Sequence, residues 1–199
     1  MNEGKWVRVT EAEDAAHSIR HALAFATLLN EDEQIWKWLI LALHSALQGA
    51  CVCHLTTTAQ PIGAVTKKNE KKWLEYFEAS RVNEKIDPPQ TYLMSLPDLL
   101  KKIRKPNSCG GSTYPNEITL SDHELSRLTK LHDEIRNQFV HFSPTGWAIE
   151  ISGTLEIAKL VARIVNDILQ AGWGFRHLSE DQKAELRQNL EKLSNLEMP

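Results

Sequence analysis

Cysteine is scarce in this sequence, and its three residues provide no disulfide framework. Cys51 and Cys53 lie in an apolar stretch, and Cys109 lies in a turn-rich segment. An odd number of cysteines in a chain of 199 residues is typical of a reduced protein rather than of a secreted, disulfide-stabilised one. The first residues carry neither a basic segment nor an apolar one, so we expect no signal peptide and a cytoplasmic location.

The sequence also lacks a large excess of charge of either sign. Its 23 Lys and Arg are balanced by 26 Asp and Glu, which gives a formal net charge of −3. Proteins that hold nucleic acid or anionic membranes through bulk charge are strongly basic, so that class is excluded. With 42% hydrophobic and 25% charged residues, the composition is that of an ordinary globular protein.

Long uninterrupted hydrophobic runs are missing as well. The most apolar stretch, residues 35–55, is interrupted by Lys37, His44, Gln48 and His54. These polar residues make it too polar for a membrane span. Its apolar residues nevertheless cover nearly every side of a helix, which predicts the buried central helix of a bundle. We therefore expect a soluble protein with no membrane partner.

Helix boundaries are clearly marked. Capping boxes begin at Thr10, Ser121 and Ser179, each followed three residues later by Glu or Gln, and Ser95 precedes Pro97 in a similar role. Together with apolar residues at helical spacing, these signals predict helices over 11–29, 32–54, 67–80, 96–104, 122–141, 154–171 and 180–193. No alternation of strands and helices appears, so the predicted fold is all-α, an antiparallel bundle of four to five helices.

The length fits a single domain over 1–199. Residues 56–120 are rich in turn-forming residues and carry ten Lys and Arg against seven Asp and Glu, so we interpret them as a helical insertion between core helices. Residues 179–199 have a thin apolar stripe and are predicted to form a peripheral C-terminal helix. The basic tracts at 67–72 and 101–105 are typical of a solubilising surface and are also candidates for contacts to a nucleic-acid backbone.

The most informative stretch lies in the fifth predicted helix. On a helix that turns about 100° per residue, with Ile135 at zero, the apolar residues form one stripe that faces the core. Four polar residues fall on the other side, between about 100° and 240°: Asp133, Arg136, Asn137 and His141. Val140 shares that outward face, which is typical of a surface covered by a partner. The four polar residues also fit a solvated helix face with local side-chain pairs, and geometry alone leaves both interpretations open.

The sequence Arg136-Asn137-x-x-x-His141, near the end of a long helix in an all-α chain, resembles the signature of the HEPN superfamily (higher eukaryotes and prokaryotes nucleotide-binding). In that signature an Arg and a His are separated by a short spacer, and a polar residue often follows the Arg. Here the spacer is four residues and the polar residue is Asn. His44 and Gln48 in the apolar second helix are similar to a His and a Glu or Gln that the family carries there.

The resemblance covers about 10–55 and 120–171 and leaves the insertion unmatched. It implies a HEPN-like bundle and a metal-independent endoribonuclease of the toxin or defence type. The catalytic residues that it implies are Arg136, Asn137 and His141. RNA is the implied substrate, an antitoxin protein is a further implied partner, and no cofactor or metal is expected.

The implied chemistry suits these residue types. The imidazole of a free histidine has a pKa of about 6.5, so a residue such as His141 can accept or donate a proton at neutral pH. The guanidinium of Arg136 offers a fixed fork of donors that matches phosphate oxygens. Asn137 can hold the phosphate or the imidazole, and Asp133 can orient His141. Because one His cannot act on both sides of a phosphate, the family pairs two motif helices across a two-fold axis, which predicts a homodimer.

Other interpretations stay open. A HEPN-like module without catalysis would bind a nucleotide, RNA or a partner protein, and a helical scaffold outside the family would need no such site. His44 and Gln48 fit a buried polar pair as well as a role near the active cleft. The cluster Cys51-x-Cys53-His54 suggests zinc, but two residues about 200° apart on a helix diverge, whereas zinc needs convergent ligands. No metal site is therefore expected.

Overall fold

The fold is seen in a computed structural model that describes residues 6–59, 61–82, 86–111, 118–141, 146 and 148–197. The helices within these ranges are α1 (Glu11–Ala26), α2 (Ile35–Leu55), α3 (Lys67–Ser80), α4 (Leu96–Ile103), α5 (Asp122–Lys130), a π-helical segment (Leu131–Arg136), α6 (Asn137–Val140), α7 (Thr154–Gln170) and α8 (Glu180–Ser194). The described residues form no β-strand, and one isolated antiparallel bridge joins Val65 and Leu93. The all-α prediction is confirmed.

The helix starts follow the capping signals of the sequence. Full capping boxes form at Thr10, Ser121 and Ser179. In each, the side chain of the cap residue accepts the backbone N–H of the third helical residue, whose own side chain accepts the backbone N–H of the cap residue. Ser95 accepts the N–H of Asp98 at the start of α4, and a proline stands in the first turn. Each such cap stabilises its helix by about 1 kcal/mol, so the sequence places these four starts accurately.

The centre of the bundle is α2. Fourteen of its 21 residues are buried, and it contacts α1, α4, α7 and the π-helical segment. Because α1 and α7 also contact α8, the four helices α1, α2, α7 and α8 close a ring around the core. Where α1 crosses α2, a Cβ on Gly49 would lie 3.2 Å from the Cβ of Ala15, so a small residue is needed there.

Within the described residues, α2 is the one helix long and apolar enough to span a bilayer. However, 67% of its most apolar window is buried against other parts of the chain. That burial is typical of the core helix of a soluble protein, which agrees with the sequence-based expectation of solubility.

The two helices between residues 56 and 120 differ in their burial. Leu96, Leu99, Leu100 and Ile103 of α4 are completely buried and belong to the hydrophobic core. In contrast, Asn69 is the one buried residue of α3, and it ties α3 to the segment that follows by bonding the carbonyl of residue 90 and the N–H of residue 92. The predicted insertion thus contains one core helix and one surface helix, while residues 60, 83–85 and 112–117 of it lie outside the described residues.

The C-terminal helix α8 packs against α1 and α7. Leu186, Leu190 and Leu193 form its buried stripe, which is the thin stripe seen in the sequence. This helix fills the fourth position of the ring, so it is an outer element that still contributes to the core.

The sequence predicts one continuous α-helix over 122–141, and the structure differs in its middle. We call residues 122–140, comprising α5, the π-helical segment and α6, the motif helix. The six residues Leu131–Arg136 are π-helical, so their backbone bonds run from i to i+5 and each residue turns through less than 100°. Side-chain directions beyond Lys130 therefore depart from a regular helical wheel. Such π-helical turns are frequent at functional sites.

Candidate functional site

The three predicted catalytic residues lie together at the C-terminal end of the motif helix. Arg136 is the last residue of the π-helical segment, and Asn137 begins α6. His141 is the first residue after α6, and its backbone N–H donates to the carbonyl of Asn137 at 2.8 Å. Arg136 and Asn137 are half-buried, whereas His141 is exposed. The regular wheel had placed all three facing outward, whereas Arg136 and Asn137 are partly covered in the structure.

Asn137 orients the guanidinium of Arg136. Nη1 of Arg136 donates to Oδ1 of Asn137 at 2.9 Å. A guanidinium has five N–H donors in a planar fork, so this bond leaves most of them available for an anion. The neighbouring amide thus holds the side chain that the sequence predicts to contact phosphate.

Two histidines form a hydrogen-bonded pair beneath this site. Nε2 of His44, on α2, lies 2.8 Å from Nδ1 of His132, on the π-helical segment. The two rings are nearly parallel, with an angle of 19° between their planes and 5.1 Å between their centroids. His44 is only 5% exposed. This bond connects the central helix of the bundle to the motif helix one turn before Arg136.

The surroundings keep this pair uncharged at neutral pH. Burial, reinforced by His132 and Arg136, lowers the pKa of His44 to about 3. Burial also lowers the pKa of His132; the carboxylate of Asp133 opposes this effect and Arg136 adds to it. Two neutral imidazoles can share one proton, with one ring donating and the other accepting. The pair therefore adds no positive charge to this part of the site.

Sequence reasoning missed His132. On the same wheel it falls near about 60°, inside the apolar stripe that faces the core. A histidine in a stripe that packs against a helix carrying His44 is the signal that could have found the pair. Gln48, which the sequence suggested as a companion of His44, is half-buried.

Asp133 is exposed, and its carboxylate acts electrostatically on His132. The suggestion that it orients His141 at one remove stays a prediction. Asp133 forms no ion pair with Arg136 among the described contacts.

The end of the motif helix also exposes apolar surface. Val140, directly before His141, is 43% exposed. Phe139 is half-buried and packs against the hydrophobic core, so the two neighbours face opposite ways. An exposed valine beside an exposed imidazole remains compatible with a surface that a partner covers.

The Cys-x-Cys-His cluster at the end of α2 is part of the protein interior. Cys51, Cys53 and His54 are buried, and Nε2 of His54 lies 3.2 Å from Oγ of Ser108. Burial raises the pKa of Cys53 to about 12, so this thiol is protonated at neutral pH rather than present as the thiolate that binds zinc. Among the residues that the structure describes, no three metal-ligating side chains converge.

Several basic residues of 67–105 already have acidic neighbours. Lys71 lies 3.7 Å from Glu75 on α3. Arg104 lies 2.8 Å from Asp122, which joins the end of α4 to the start of α5. These exposed pairs are weak, so the lysines stay available to a strong polyanion in low salt.

No protein-family model, curated protein or solved structure matches this chain. The family resemblance therefore depends on the motif and on its helical setting. A functional assignment has to come from the side chains at the end of the motif helix and from the groups that support them.

Proposed function

We propose that this chain is a metal-independent endoribonuclease of the toxin or defence type that acts as a homodimer in the cytoplasm. The observation that carries the proposal is the arrangement at the end of the motif helix. There an amide-oriented guanidinium, Arg136 with Asn137, lies five residues before an exposed imidazole, His141. Five residues span about 7.5 Å along a helix, and the proposal requires both side chains to reach the same phosphodiester.

The residues fit the demands of RNA cleavage without a metal. A base removes the proton of the ribose 2′-OH, the 2′ oxygen attacks phosphorus, and the bond from phosphorus to the 5′ oxygen breaks. An acid then protonates the departing 5′ oxygen, which leaves a 2′,3′-cyclic phosphate and a 5′-hydroxyl end. His141 supplies an imidazole, the side chain most often used for proton transfer in catalysis. Arg136 stabilises the charge that develops on the phosphoryl oxygens.

The need for two proton-transfer groups supports the homodimer. The base and the acid act on opposite sides of the reacting phosphorus, and one imidazole cannot occupy both positions. A two-fold axis beside the motif helix would bring a second His141 and a second Arg136 to the same cleft. The exposed Val140 is an apolar contact suited to that axis.

The histidine pair has a positioning role in this proposal. The bond between His44 and His132 fixes the π-helical segment against α2, and Arg136 ends that segment. Because the pair is neutral, it adds no positive charge next to Arg136. Protonation of either ring would place a second positive charge beside the guanidinium and repel it.

Cleavage by the purified protein tests the proposal. Wild-type protein should cut structured RNA in EDTA, and Arg136→Ala and His141→Ala should not. His123→Ala is the matched control, because His123 is an exposed histidine on the same motif helix. If His141→Ala cuts as fast as wild type, the activity is a contaminant. RNA binding without cleavage by the wild type would indicate a HEPN-like binding module instead.

The oligomeric state is a separate test. Light scattering at micromolar concentration should give the mass of a dimer for wild type. Val140→Asp should give a monomer with an unchanged circular dichroism spectrum, since an exposed valine contributes little to the fold of one chain. A wild-type protein that stays monomeric would rule out the composite site.

A further inference from the structure

A cavity of about 970 Å³ lies between the start of α1, the end of α2 and the segment that joins α7 to α8. Cys53, on its wall, is nine residues beyond His44 along α2, which is about 13 Å of helix. The lining includes no described residue of the motif helix. The cavity is therefore separate from the proposed ribonuclease site.

One side of the cavity is supported by a rigidly held indole. Nε1 of Trp173 donates to the carbonyl of Thr56, just after α2, at 2.8 Å. A Cβ on Gly111 would lie 2.3 Å from Cε3 of Trp173, so glycine is required for this close approach. The N–H of Gly110 donates to the carbonyl of His54 at 2.9 Å and ties the glycine pair to the end of α2.

The guanidinium of Arg176 stacks on this indole. The guanidinium carbon of Arg176 lies 3.8 Å from the centroid of the Trp173 ring, and Nη1 donates to the backbone carbonyl of Trp173 at 3.0 Å. Stacking and one hydrogen bond set the plane of the fork, while Nη2 and Nε make no hydrogen bond or ion pair with the described residues. A guanidinium fixed in this way is prepared for bidentate binding of a carboxylate or phosphate.

Two arginines, Arg8 and Arg176, and two glutamates, Glu11 and Glu13, line the cavity. Arg8 lines the cavity without an ion pair to any described residue. One oxygen of Glu13 accepts both the N–H and the hydroxyl of Thr10. Neither glutamate forms an ion pair with Arg8 or Arg176 in the described structure, so both guanidinium groups remain available to an anionic ligand.

Part of the wall is apolar. It is formed by Val52, Pro61, Trp73, Leu93 and Leu178, and threonines such as Thr91 lie among them. Sites for small organic ligands combine such apolar walls with a few fixed polar groups, in a volume of about 300–1,000 Å³. We propose that this cavity binds a small organic anion: an apolar or aromatic body rests on this wall, and its carboxylate or phosphate group is held by Arg176 and Arg8.

Three probes of the same shape test the proposal by isothermal titration calorimetry: 2-naphthoate, 2-naphthyl phosphate and neutral 2-naphthamide. At least one anion should bind at least tenfold more tightly than the amide. Binding of the carboxylate alone would assign carboxylic acids, and binding of the phosphate alone would assign phosphate monoesters. Equal affinity for the amide and both anions, or no binding by either anion at millimolar concentration, would overturn the proposal.

Variants connect binding to the guanidinium groups. Arg176→Gln should weaken the preferred anion at least tenfold and leave the affinity for the amide unchanged. Arg8→Gln, at an exposed residue before α1, should weaken it severalfold and provides the test if Arg176→Gln does not fold. Arg81→Gln, an exposed arginine outside the cavity, should bind as wild type. Unchanged anion affinity in Arg8→Gln and in a folded Arg176→Gln would contradict the assignment.

Discussion

Replacing His44 with glutamine should make the stability of the protein less sensitive to acid. Burial, with contributions from His132 and Arg136, lowers the pKa of His44 from 6.5 to about 3. Between these pH values the unfolded chain binds a proton on this ring that the folded chain does not bind, so stability falls as the pH falls through that window. At about 1.4 kcal/mol per pKa unit, wild type loses roughly 3 kcal/mol through this ring between pH 7 and pH 4.

His44→Gln cannot titrate but can still bond to His132. At pH 7.5 it should be less stable than wild type by about 1 kcal/mol, the usual cost of a weakened hydrogen bond. At pH 4 the order should reverse, with the variant roughly 2 kcal/mol more stable, because the acid penalty of wild type is gone. The two curves of stability against pH should therefore cross.

Urea unfolding followed by far-UV circular dichroism, at several pH values from 7.5 to 4, measures these curves. Burial also lowers the pKa of His54 to about 4, but this effect is common to both proteins and cancels in their difference. His123→Gln, on the surface of the motif helix, is the control, and its curve of stability against pH should be parallel to that of wild type. Parallel curves for wild type and His44→Gln would refute the burial of a neutral His44.

Three further substitutions, and one control at Leu74, test the fold. Gly111→Ala should destabilise the protein by about 1–3 kcal/mol and change its tryptophan fluorescence, because the new methyl group would displace Trp173; unchanged fluorescence would contradict this packing. Leu100→Ala should cost about 2–5 kcal/mol in urea unfolding, whereas Leu74→Ala, at a residue 49% exposed, should cost less than about 0.5 kcal/mol; equal costs would contradict the core position of α4. Ser121→Ala should cost about 1 kcal/mol through loss of its capping box, and a neutral result in the same assay would mean that the cap does not hold the motif helix.

Much of the fold could be predicted from local signals. Caps such as Thr10 and Ser179 involve residues three apart, so their geometry is decided within one helical turn. The nearly uniform apolar character of α2 likewise predicts its central position, since such a helix must be surrounded. These features depend on neighbours in sequence, which a single chain displays directly.

The features that could not be predicted depend on contacts between distant residues. His44 and His132 are 88 residues apart, and each position alone indicates a polar residue facing the core without identifying its partner. The π-helical segment carries no distinctive sequence pattern, and it changes the directions of Arg136 and Asn137 from those of a regular wheel. The core position of α4 was also missed, because its short apolar stripe lies within a turn-rich, basic region that suggested an insertion.

The chemical ends of the RNA fragments test the central proposal most directly. Purified wild type, incubated with a labelled structured RNA in EDTA, should produce fragments that end in 2′,3′-cyclic phosphate, and His141→Ala should produce none. Fragments ending in a 3′-hydroxyl, or equal amounts of cyclic phosphate from both proteins, would contradict a metal-independent mechanism that depends on His141.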